Sequence, residues 1–364
     1  MIIGLLKCTE ESLVGLIPNV VSKLKKEGHD IVFEPGAGSS SDYTDQEYLS
    51  AGATSLERRE ILIKADVLIT VSGLKADDLS VINDTSYVIG KFNSNVELVE
   101  KIKSNGIKAF SLDLLPRSTI AQSMDVLSSL ASLSGYKSII TAADNFSGYF
   151  PMMTTSAGTI PPAKVLVLGA GVAGLQAIAT ARRLGAVVEA FDVRSSVKEE
   201  VQSLGAKFIE VEGSQEDVSA GGYAVKQSEE YIQKQKELIH VSAAKADVIV
   251  TTAAIPGRKA PLLIEDRTVT SMKKGSVIVD LAAATGGNCA LTQNDKIVEV
   301  EGVTIIGDSR LYNKMGKQAS LVYSNNVFSF LKFVFKEGLE NIPYGHEIVS
   351  KTLLTTTKTE AVSA

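Results

Sequence analysis

A glycine-rich turn between an apolar strand and a helical pattern is the segment of this chain best suited to bind a ligand. The apolar run 165–168 is followed by Gly169, Gly171 and Gly174 in G-x-G-x-x-G spacing, and a helical pattern begins at once. In such a turn the first glycine permits a tight bend, the second lets the backbone approach a pyrophosphate, and the third lets the helix pack closely on the strand. The unpaired N–H groups of the helix N-terminus then face the diphosphate. The spacing predicts a dinucleotide site, although similar turns also occur in loops that bind nothing.

Asp192 is the acidic residue that such a site requires. It follows residues 187–191, which are predicted to form the next strand. A carboxylate at this point accepts hydrogen bonds from the adenosine ribose hydroxyls and repels a 2′-phosphate, which favours NAD over NADP. Arg194, just after it, is the one feature that favours NADP. Because strand, turn, helix and acid all agree, a dinucleotide site is favoured over a purely structural turn.

A polar segment beginning at Arg117 is the second candidate for chemistry. A helix is predicted over residues 119–141, and within it Gln122, Asp125 and Ser128 recur at helical spacing and share one face. This pattern is typical of an amphipathic helix with a solvated polar side. A functional interpretation is also open, because a donor at Arg117, an amide at Gln122 and an acceptor at Asp125 suit the carboxamide and ribose of a nicotinamide.

A long polar connection covers residues 217–236 and carries glycines beside Tyr223. Connections of this length inside compact folds are usually functional or disordered. Glycines next to an aromatic residue suit a hinged flap whose tyrosine closes over a ligand. A flexible insertion without function is the alternative.

Few residues are suitably placed to move a proton. The histidines are His29, His240 and His346, and none lies in a recognisable motif. A dehydrogenase of alcohols or amines usually needs a positioned histidine or lysine. We predict that His240 is structural and that Lys75 is the best remaining candidate, although a lysine in a turn is usually solvated. Hydride transfer directly between two nicotinamides requires no such group.

Composition and charge exclude several classes of protein. Hydrophobic residues make up 45% of the 364 and charged residues 22%, which is ordinary for a globular protein long enough for two domains. A net charge of −5 gives no reason to expect a nucleic acid as partner. Cys8 and Cys289 form no metal-spaced cluster, so we predict no metal site and a reducing compartment. No apolar stretch is long enough to cross a bilayer, and the N-terminus does not resemble a signal peptide.

Strands alternate with helices along the chain, which predicts the fold class α/β with two Rossmann-like doubly wound domains, the second a dinucleotide-binding fold. The first domain has predicted strands at 2–6, 31–34, 67–71, 87–89 and 109–111, and helices at 12–27, 45–51 and 96–105. The second has six predicted strands, at 165–168, 187–191, 206–211, 248–251, 276–280 and 303–306.

Two further segments set the predicted domain boundaries. A hairpin is expected within 149–162, with its turn at Ser156 and Ala157, and an exposed apolar hairpin would suggest a dimer contact. A helix at 325–336 is expected to pack back on the first domain. The predicted domains are therefore 1–128 plus 325–364, and 129–324.

Longer motifs extend over nearly the whole chain and are more specific than the glycine pattern. They are Pro116-Arg117 with the segment 121–129, the segments 221–224, 251–257 and 275–282, and Gly286-Gly287-Asn288. Together they resemble the NAD(H)-binding first component of the proton-translocating nicotinamide nucleotide transhydrogenases, a family that shares its fold with alanine dehydrogenase.

The resemblance implies which residues bind NAD(H). Arg117, Gln122 and Asp125 are the implied catalytic residues, and with Ser128 they surround the nicotinamide. Asp192 holds the adenosine ribose, and Tyr223 lies on the mobile loop. The full implied set of cofactor-binding residues is Arg117, Gln122, Asp125, Ser128, Gly169, Gly171, Val172, Ala173, Gly174, Asp192, Val193, Arg194, Tyr223, Thr252, Ala253, Asp280 and Leu281.

The resemblance also implies an activity and partners. Hydride passes from NADH on this chain to NADP⁺ on an NADP(H)-binding component, and a membrane proton-channel component couples that step to proton translocation. The chain is expected to form a homodimer and to lie outside the bilayer, on a cytosolic or matrix-like face. It ends at Ala364, without the membrane helices of many transhydrogenase alpha chains, which fits either a separate subunit or a fragment of a longer chain.

Two other functions remain open at this point. An alanine dehydrogenase-like, NAD-dependent amino-acid dehydrogenase would use a lysine and a histidine in its first domain. This chain has no histidine between His29 and His240, and the Leu74-Lys75-Ala76 context of its lysine is not the usual one. A non-catalytic NAD-binding regulatory module is the third possibility.

Overall fold

The chain folds into two units, each built on a sheet of mainly parallel strands. A computed structural model describes residues 1–211, 228–255 and 257–355. One unit comprises residues 1–130 together with the described residues from 313 onward, and the other is Ala131–Tyr312. The predicted α/β fold class with two Rossmann-like domains is confirmed.

The strands of the described residues are numbered in chain order. They are β1 (Ile2–Leu5), β2 (Asp30–Phe33), β3 (Thr54–Ser55), β4 (Val67–Ile69), β5 (Tyr87–Gly90), β6 (Lys108–Ser111), β7 (Met153–Thr155), β8 (Gly158–Ile160), β9 (Lys164–Leu168), β10 (Val187–Phe191), β11 (Lys207–Ile209), β12 (Val248–Thr251), β13 (Val277–Asp280), β14 (Lys296–Val300) and β15 (Val303–Gly307).

The described α-helices follow the same order. They are α1 (Pro18–Lys26), α2 (Asp45–Ser50), α3 (Arg58–Lys64), α4 (Val96–Ser104), α5 (Val126–Asn145), α6 (Val172–Arg183), α7 (Lys198–Ser203), α8 (Glu229–Ala243), α9 (Asp266–Ser271), α10 (Gly316–Val334) and α11 (Glu347–Thr352).

In the first unit the strands lie in the order β3-β2-β1-β4-β5-β6 and pair in parallel. Helix α10 packs on this sheet through its aromatic residues. The rings of Phe330 and Phe335 lie 5.4 and 6.4 Å from that of Phe110 on β6. The end of this helix therefore packs on the sheet of the first unit.

In the second unit the described strands lie in the order β11-β10-β9-β12-β13-β15-β14. Strand β9 is buried on both faces, which explains its uninterrupted apolar sequence. Val165 and Val167 belong to one core cluster, while Leu166 and Leu168 belong to the cluster on the other face. The strand order reverses between β9 and β12, and in open α/β sheets ligands bind beside such a point, at the carboxyl ends of the strands. The glycine turn follows β9 directly.

The predicted hairpin is present as the antiparallel pair β7 and β8. All of its strand residues are exposed, and Met152 just before it is 66% exposed. Among the described residues, no helix combines the length and apolar character that crossing a bilayer requires.

Several elements differ from the sequence-based prediction. The first helix begins at Pro18 and not at 12, because proline lacks an N–H and suits the first position of a helix. Strand β3, helix α3 and strand β14 were not predicted. Strand β14 is an antiparallel edge strand in which Lys296, Ile297 and Glu299 are exposed and the two valines half-buried, so its sequence lacks the buried pattern of its neighbours.

The unit boundaries also differ in part from those predicted. The first lies within α5, close to the predicted position after residue 128. The return to the first unit occurs at Asn313, so the predicted position, 325, falls inside α10. The N-terminal half of α10 buries serines, whose polarity conceals its helical apolar pattern in the sequence.

Candidate functional site

The turn after β9 is shaped by its glycines. Gly169 has a φ of 101°, which disfavours other residues, and a Cβ there would lie 2.5 Å from Thr252 Oγ1. A Cβ at Gly174 would collide with the carbonyl oxygen of Gly169, so α6 packs directly on the turn. A Cβ at Gly171 would meet nothing within 4 Å. The first and third glycines therefore allow close packing, and the second faces open space where a ligand can approach the backbone.

Helix α6 presents its N-terminus at this open space. Gly171 is the N-cap, with no side chain to cap the helix, and the N–H of Leu175 makes a helical bond to the Gly171 carbonyl oxygen (2.8 Å). The amides of Val172 and Ala173 precede that bond in the first turn. Free N–H groups and the positive end of the helix dipole favour an anion such as a diphosphate.

Asp192 lies at the end of β10 and is held by the glycine turn. The residue is 9% exposed, and its Oδ2 accepts the N–H of Ala170 at 2.8 Å. Arg194 donates to both oxygens, with Nε 2.9 Å from Oδ1 and Nη2 2.8 Å from Oδ2, and its backbone N–H also binds Oδ1. The four acceptor positions of the carboxylate are thereby used. Val193 between them is half-buried against the core.

The pairing of Arg194 with Asp192 changes what the arginine indicates about the preference for NAD or NADP. Its hydrogen bond to Asp192 raises the pKa of the guanidinium, so the arginine is a cation already balanced by a buried carboxylate. A free arginine would favour the 2′-phosphate of NADP, whereas this one is engaged by the acid that selects against it. The two residues together favour NAD.

A buried carboxylate organises the loop after β13. Asp280 is 0% exposed, and its Oδ2 accepts the N–H groups of Asn288 (2.8 Å) and Cys289 (3.1 Å) and the hydroxyl of Thr292 (2.7 Å). Its Oδ1 accepts the N–H of Ala282 at 3.0 Å. Asp280 is predicted from the sequence to bind the cofactor, and its carboxylate is hydrogen-bonded within its own loop.

Asn288 connects that loop to the one after β12. Its Oδ1 accepts the N–H of Ala253 (3.1 Å), and its Nδ2 donates to the carbonyl oxygens of Ala253 and Pro261 (both 2.8 Å). Thr252, in turn, donates to the Gly169 carbonyl oxygen at 3.0 Å. Thr252 and Ala253 are thus fixed beside the glycine turn. The sequence analysis named Asn288 only as part of a motif and missed this role.

The polar segment of the first unit has a different local structure from the one predicted. Residues 120–124 form a 3₁₀ turn, and α5 begins only at Val126. Asp125 interrupts the predicted helix because its side chain caps α5, with Oδ1 accepting the N–H of Ser128 (2.9 Å) and Oδ2 its hydroxyl (2.6 Å). Gln122 therefore does not share a helical face with Asp125.

The remaining residues named from the sequence differ in their surroundings. Arg117 and Gln122 are exposed, and Asp125 and Ser128 are half-buried. Leu281 packs against the core and its N–H binds the Thr251 carbonyl oxygen, so it contributes mainly backbone to the turn. Tyr223 lies outside the described residues.

The candidates for proton transfer have structural contacts. Nδ1 of His240 lies 3.0 Å from Thr268 Oγ1, and Nδ1 of His346 accepts the N–H of Ile348 at the start of α11. Lys75 is exposed, and its backbone N–H donates to Asp78. Among the described residues, no group of three or more His, Cys, Asp or Glu side chains is arranged to hold a metal ion.

Two family descriptions match the chain. The N-terminal domain of the alanine dehydrogenase/PNT family matches residues 7–134, and its C-terminal domain matches residues 138–361. The chain belongs to the alanine dehydrogenase/PNT family. The recognition made from the sequence motifs is confirmed.

Within this family, transhydrogenases show strong similarity to the chain. An NAD(P) transhydrogenase subunit alpha chain of Rhodospirillum rubrum is 44% identical over 331 residues, covering 88% of this chain and 86% of that protein. Subunit alpha of Haemophilus influenzae is 42% identical, covering 93% of this chain and 67% of that protein. The crystal structure of transhydrogenase from Sinorhizobium meliloti has a TM-score of 0.88 and 43% identity, covering 98% of both chains.

Alanine dehydrogenases are more distant members of the family. Alanine dehydrogenase 1 of Staphylococcus aureus is 26% identical over 356 residues, covering 93% of this chain and 88% of that protein. The alanine dehydrogenase/PNT family therefore includes two of the three functions considered from the sequence, the transhydrogenase and the alanine dehydrogenase, and the similarities favour the transhydrogenase.

Asp192 provides the first test of the dinucleotide site. Replacement of Asp192 with Ala should weaken NADH binding by about 1–3 kcal/mol, because ribose hydroxyls lose their acceptor. It should also narrow the preference for NADH over NADPH, since Arg194 loses its carboxylate. Titration of both nucleotides by fluorescence measures these effects, with Glu189→Gln on the same strand as control. An unaltered NADH dissociation constant would mean that the ribose is held elsewhere.

Substitutions of Asp125 can distinguish its role as the cap of α5 from its role in hydride transfer. Asparagine also caps helices, so Asp125→Asn should leave the thermal midpoint almost unchanged, whereas Asp125→Ala should cost about 1 kcal/mol of stability. Both variants, and Arg117→Ala, should slow hydride transfer with only modest loss of NADH binding. Equal transfer rates in all these variants and the wild type would exclude the proposed role of this segment.

Asp280 is expected to contribute to the free energy of unfolding. In Asp280→Asn an NH₂ group replaces an oxygen that accepts N–H or O–H donors, which should cost about 2–3 kcal/mol of unfolding free energy. Urea unfolding measures this loss. Asp295→Asn, an exposed change of the same kind in the same unit, is the control and should have little effect. Matching stabilities of the two variants would contradict the structural role of Asp280.

Proposed function

We propose that this chain is the NAD(H)-binding component of a proton-translocating nicotinamide nucleotide transhydrogenase. The observation that supports it most directly is the open space beside Gly171, the N-cap of α6, in a turn whose Ala170 N–H is bound by the buried carboxylate of Asp192. Its membership of a family whose similar members are transhydrogenase alpha subunits agrees with this.

The residues of the second unit fit a bound dinucleotide. The amides of Val172 and Ala173 would bind the diphosphate, and Asp192 would accept the ribose hydroxyls after giving up bonds to Arg194. Thr252 and Ala253 would contact the cofactor from the loop that Asn288 holds. Their role is to orient the cofactor, which supplies the hydride.

The residues of the first unit would act on the nicotinamide. Arg117 and Gln122 are exposed, Gln122 on the 120–124 turn and Arg117 just before it, and Asp125 is an acceptor fixed by Ser128. They would orient the carboxamide and its ribose. No proton needs to move at these residues, because a hydride passed between two nicotinamides leaves no proton to collect. This agrees with the structural contacts of His240 and the exposure of Lys75.

The partners follow from this activity. NADP⁺ would be bound by a separate component, and a membrane component would couple the transfer to proton movement, with this chain peripheral to the bilayer. A homodimer is proposed as well. The exposed hairpin β7–β8, with Met153 and Ile160 36% and 41% exposed, supplies an apolar surface for that contact.

Reconstitution tests the proposal. Hydride transfer from NADH to an NADP⁺ analogue is measured with this chain alone and then with a purified NADP(H)-binding transhydrogenase component. Turnover is expected only in the mixture, and the Asp192→Ala chain should need more NADH to reach the same rate. No transfer in the mixture, together with NADH formation from NAD⁺ and L-alanine, would identify an amino-acid dehydrogenase instead. Absence of both reactions would favour a regulatory module.

A further inference from the structure

Helix α10 uses buried polar side chains to hold the loops of the first unit. Ser320 Oγ accepts the N–H of Val14, and Ser324 Oγ accepts the N–H of Ile17, both at 3.0 Å. Asn326 Nδ2 donates to the carbonyl oxygen of Ser123 at 2.8 Å. Two of these side chains therefore hold the segment after β1, and Asn326 holds the 3₁₀ turn that precedes Asp125.

Asn326 is poorly suited to a role in packing alone. The residue is only 7% exposed, and burying an amide is costly unless its polar atoms are hydrogen-bonded. Its Oδ1 is buried and has no partner among the described residues. A leucine would fill similar space without this cost. The hydrogen bond to Ser123 is thus what the asparagine contributes.

The turn held by Asn326 is fixed on one side and presents polar groups on the other. Ala121 and Met124 are buried, at 2% and 4% exposed, and α10 packs on this turn. Gln122, between them in sequence, is exposed. The Ser123 carbonyl belongs to the same turn, so its bond to Asn326 fixes the backbone that carries Gln122 and leads into Asp125.

We propose that Asn326 is a positioning residue for hydride transfer, holding the 120–124 turn so that Gln122 and Asp125 keep their orientation. This inference rests on the proposed function, in which those residues orient the nicotinamide. Misplacement of such groups by about 1 Å is enough to lower the rate about 100-fold, so one hydrogen bond to the turn has a large effect. In that function Asp192 and the amides at the start of α6 would bind the adenosine ribose and the diphosphate, so NADH binding should change little.

The experiment compares two neighbouring asparagines of α10. In Asn326→Asp the donor becomes an acceptor facing the Ser123 carbonyl oxygen, while Asn325→Asp makes the same change at an exposed position. Four quantities are measured in the full chain: hydrogen exchange of the amides in 117–125, the NADH dissociation constant, and the kcat and KM of transfer with the NADP(H)-binding component. Asn326→Ser serves as a second variant, which loses the bond without adding charge.

We expect faster exchange in 117–125 and a kcat about 10- to 100-fold lower in both Asn326 variants, with nearly unchanged NADH binding. Asn325→Asp should stay within about twofold of the wild type. Faster exchange with normal kcat, or Asn326 variants that behave like Asn325→Asp, would overturn the inference. If the wild type transfers no hydride, the proposed function fails, and unchanged exchange in the Asn326 variants would refute the tether separately.

Discussion

The close approach of α6 to the turn after β9 is the constraint on which the candidate dinucleotide site depends. The Gly169 carbonyl occupies the space of a Cβ at Gly174, so the helix begins directly at the carboxyl end of the strand. The same carbonyl accepts the Thr252 hydroxyl, which fixes the loop after β12. Asn288 and Asp280 extend this set of bonds to the loop after β13. Three loops at one edge of the sheet are therefore linked to one glycine contact.

The buried side chains of Asp280 and Asn288 are hydrogen-bonded to neighbouring loops, and that is why they specify the shape of this region. Asp280 has four donors and no exposed surface, so moving its loop would leave a carboxylate and several amides without partners. Apolar packing tolerates small shifts more easily than such a network. This network positions the backbone of Thr252 and Ala253, although neither residue is charged.

Sequence patterns predicted the elements that have strong local signals. The apolar runs of β9, β12 and β13 are buried on both faces, and the glycine spacing has one physical explanation, so these strands, the turn and α6 were all placed from sequence alone. Asp125 was recognised as a candidate site residue but was placed inside a helix. Helical spacing cannot show that a side chain caps the next helix, which depends on where the backbone changes direction.

Residues whose contacts lie far away in sequence were not identified from sequence patterns. The side chain of Asn288 binds the backbone of the loop after β12, and that of Asn326 binds the 120–124 turn. Both partners are far away in sequence. Neither partner is visible in local periodicity. The buried serines of α10 also hid half of that helix, because polarity at core positions is explained only by the loops they contact.

The pair of Asp192 and Arg194 has a consequence for how long a nucleotide stays bound. Ribose hydroxyls and the guanidinium would use the same carboxylate oxygens, so on association the loss of bonds to Arg194 offsets part of the gain from the bonds to the ribose. On departure the arginine is at hand to re-form its bonds, which lowers the barrier to release. In the proposed function the oxidised cofactor must leave after every transfer, and a short residence time allows rapid turnover.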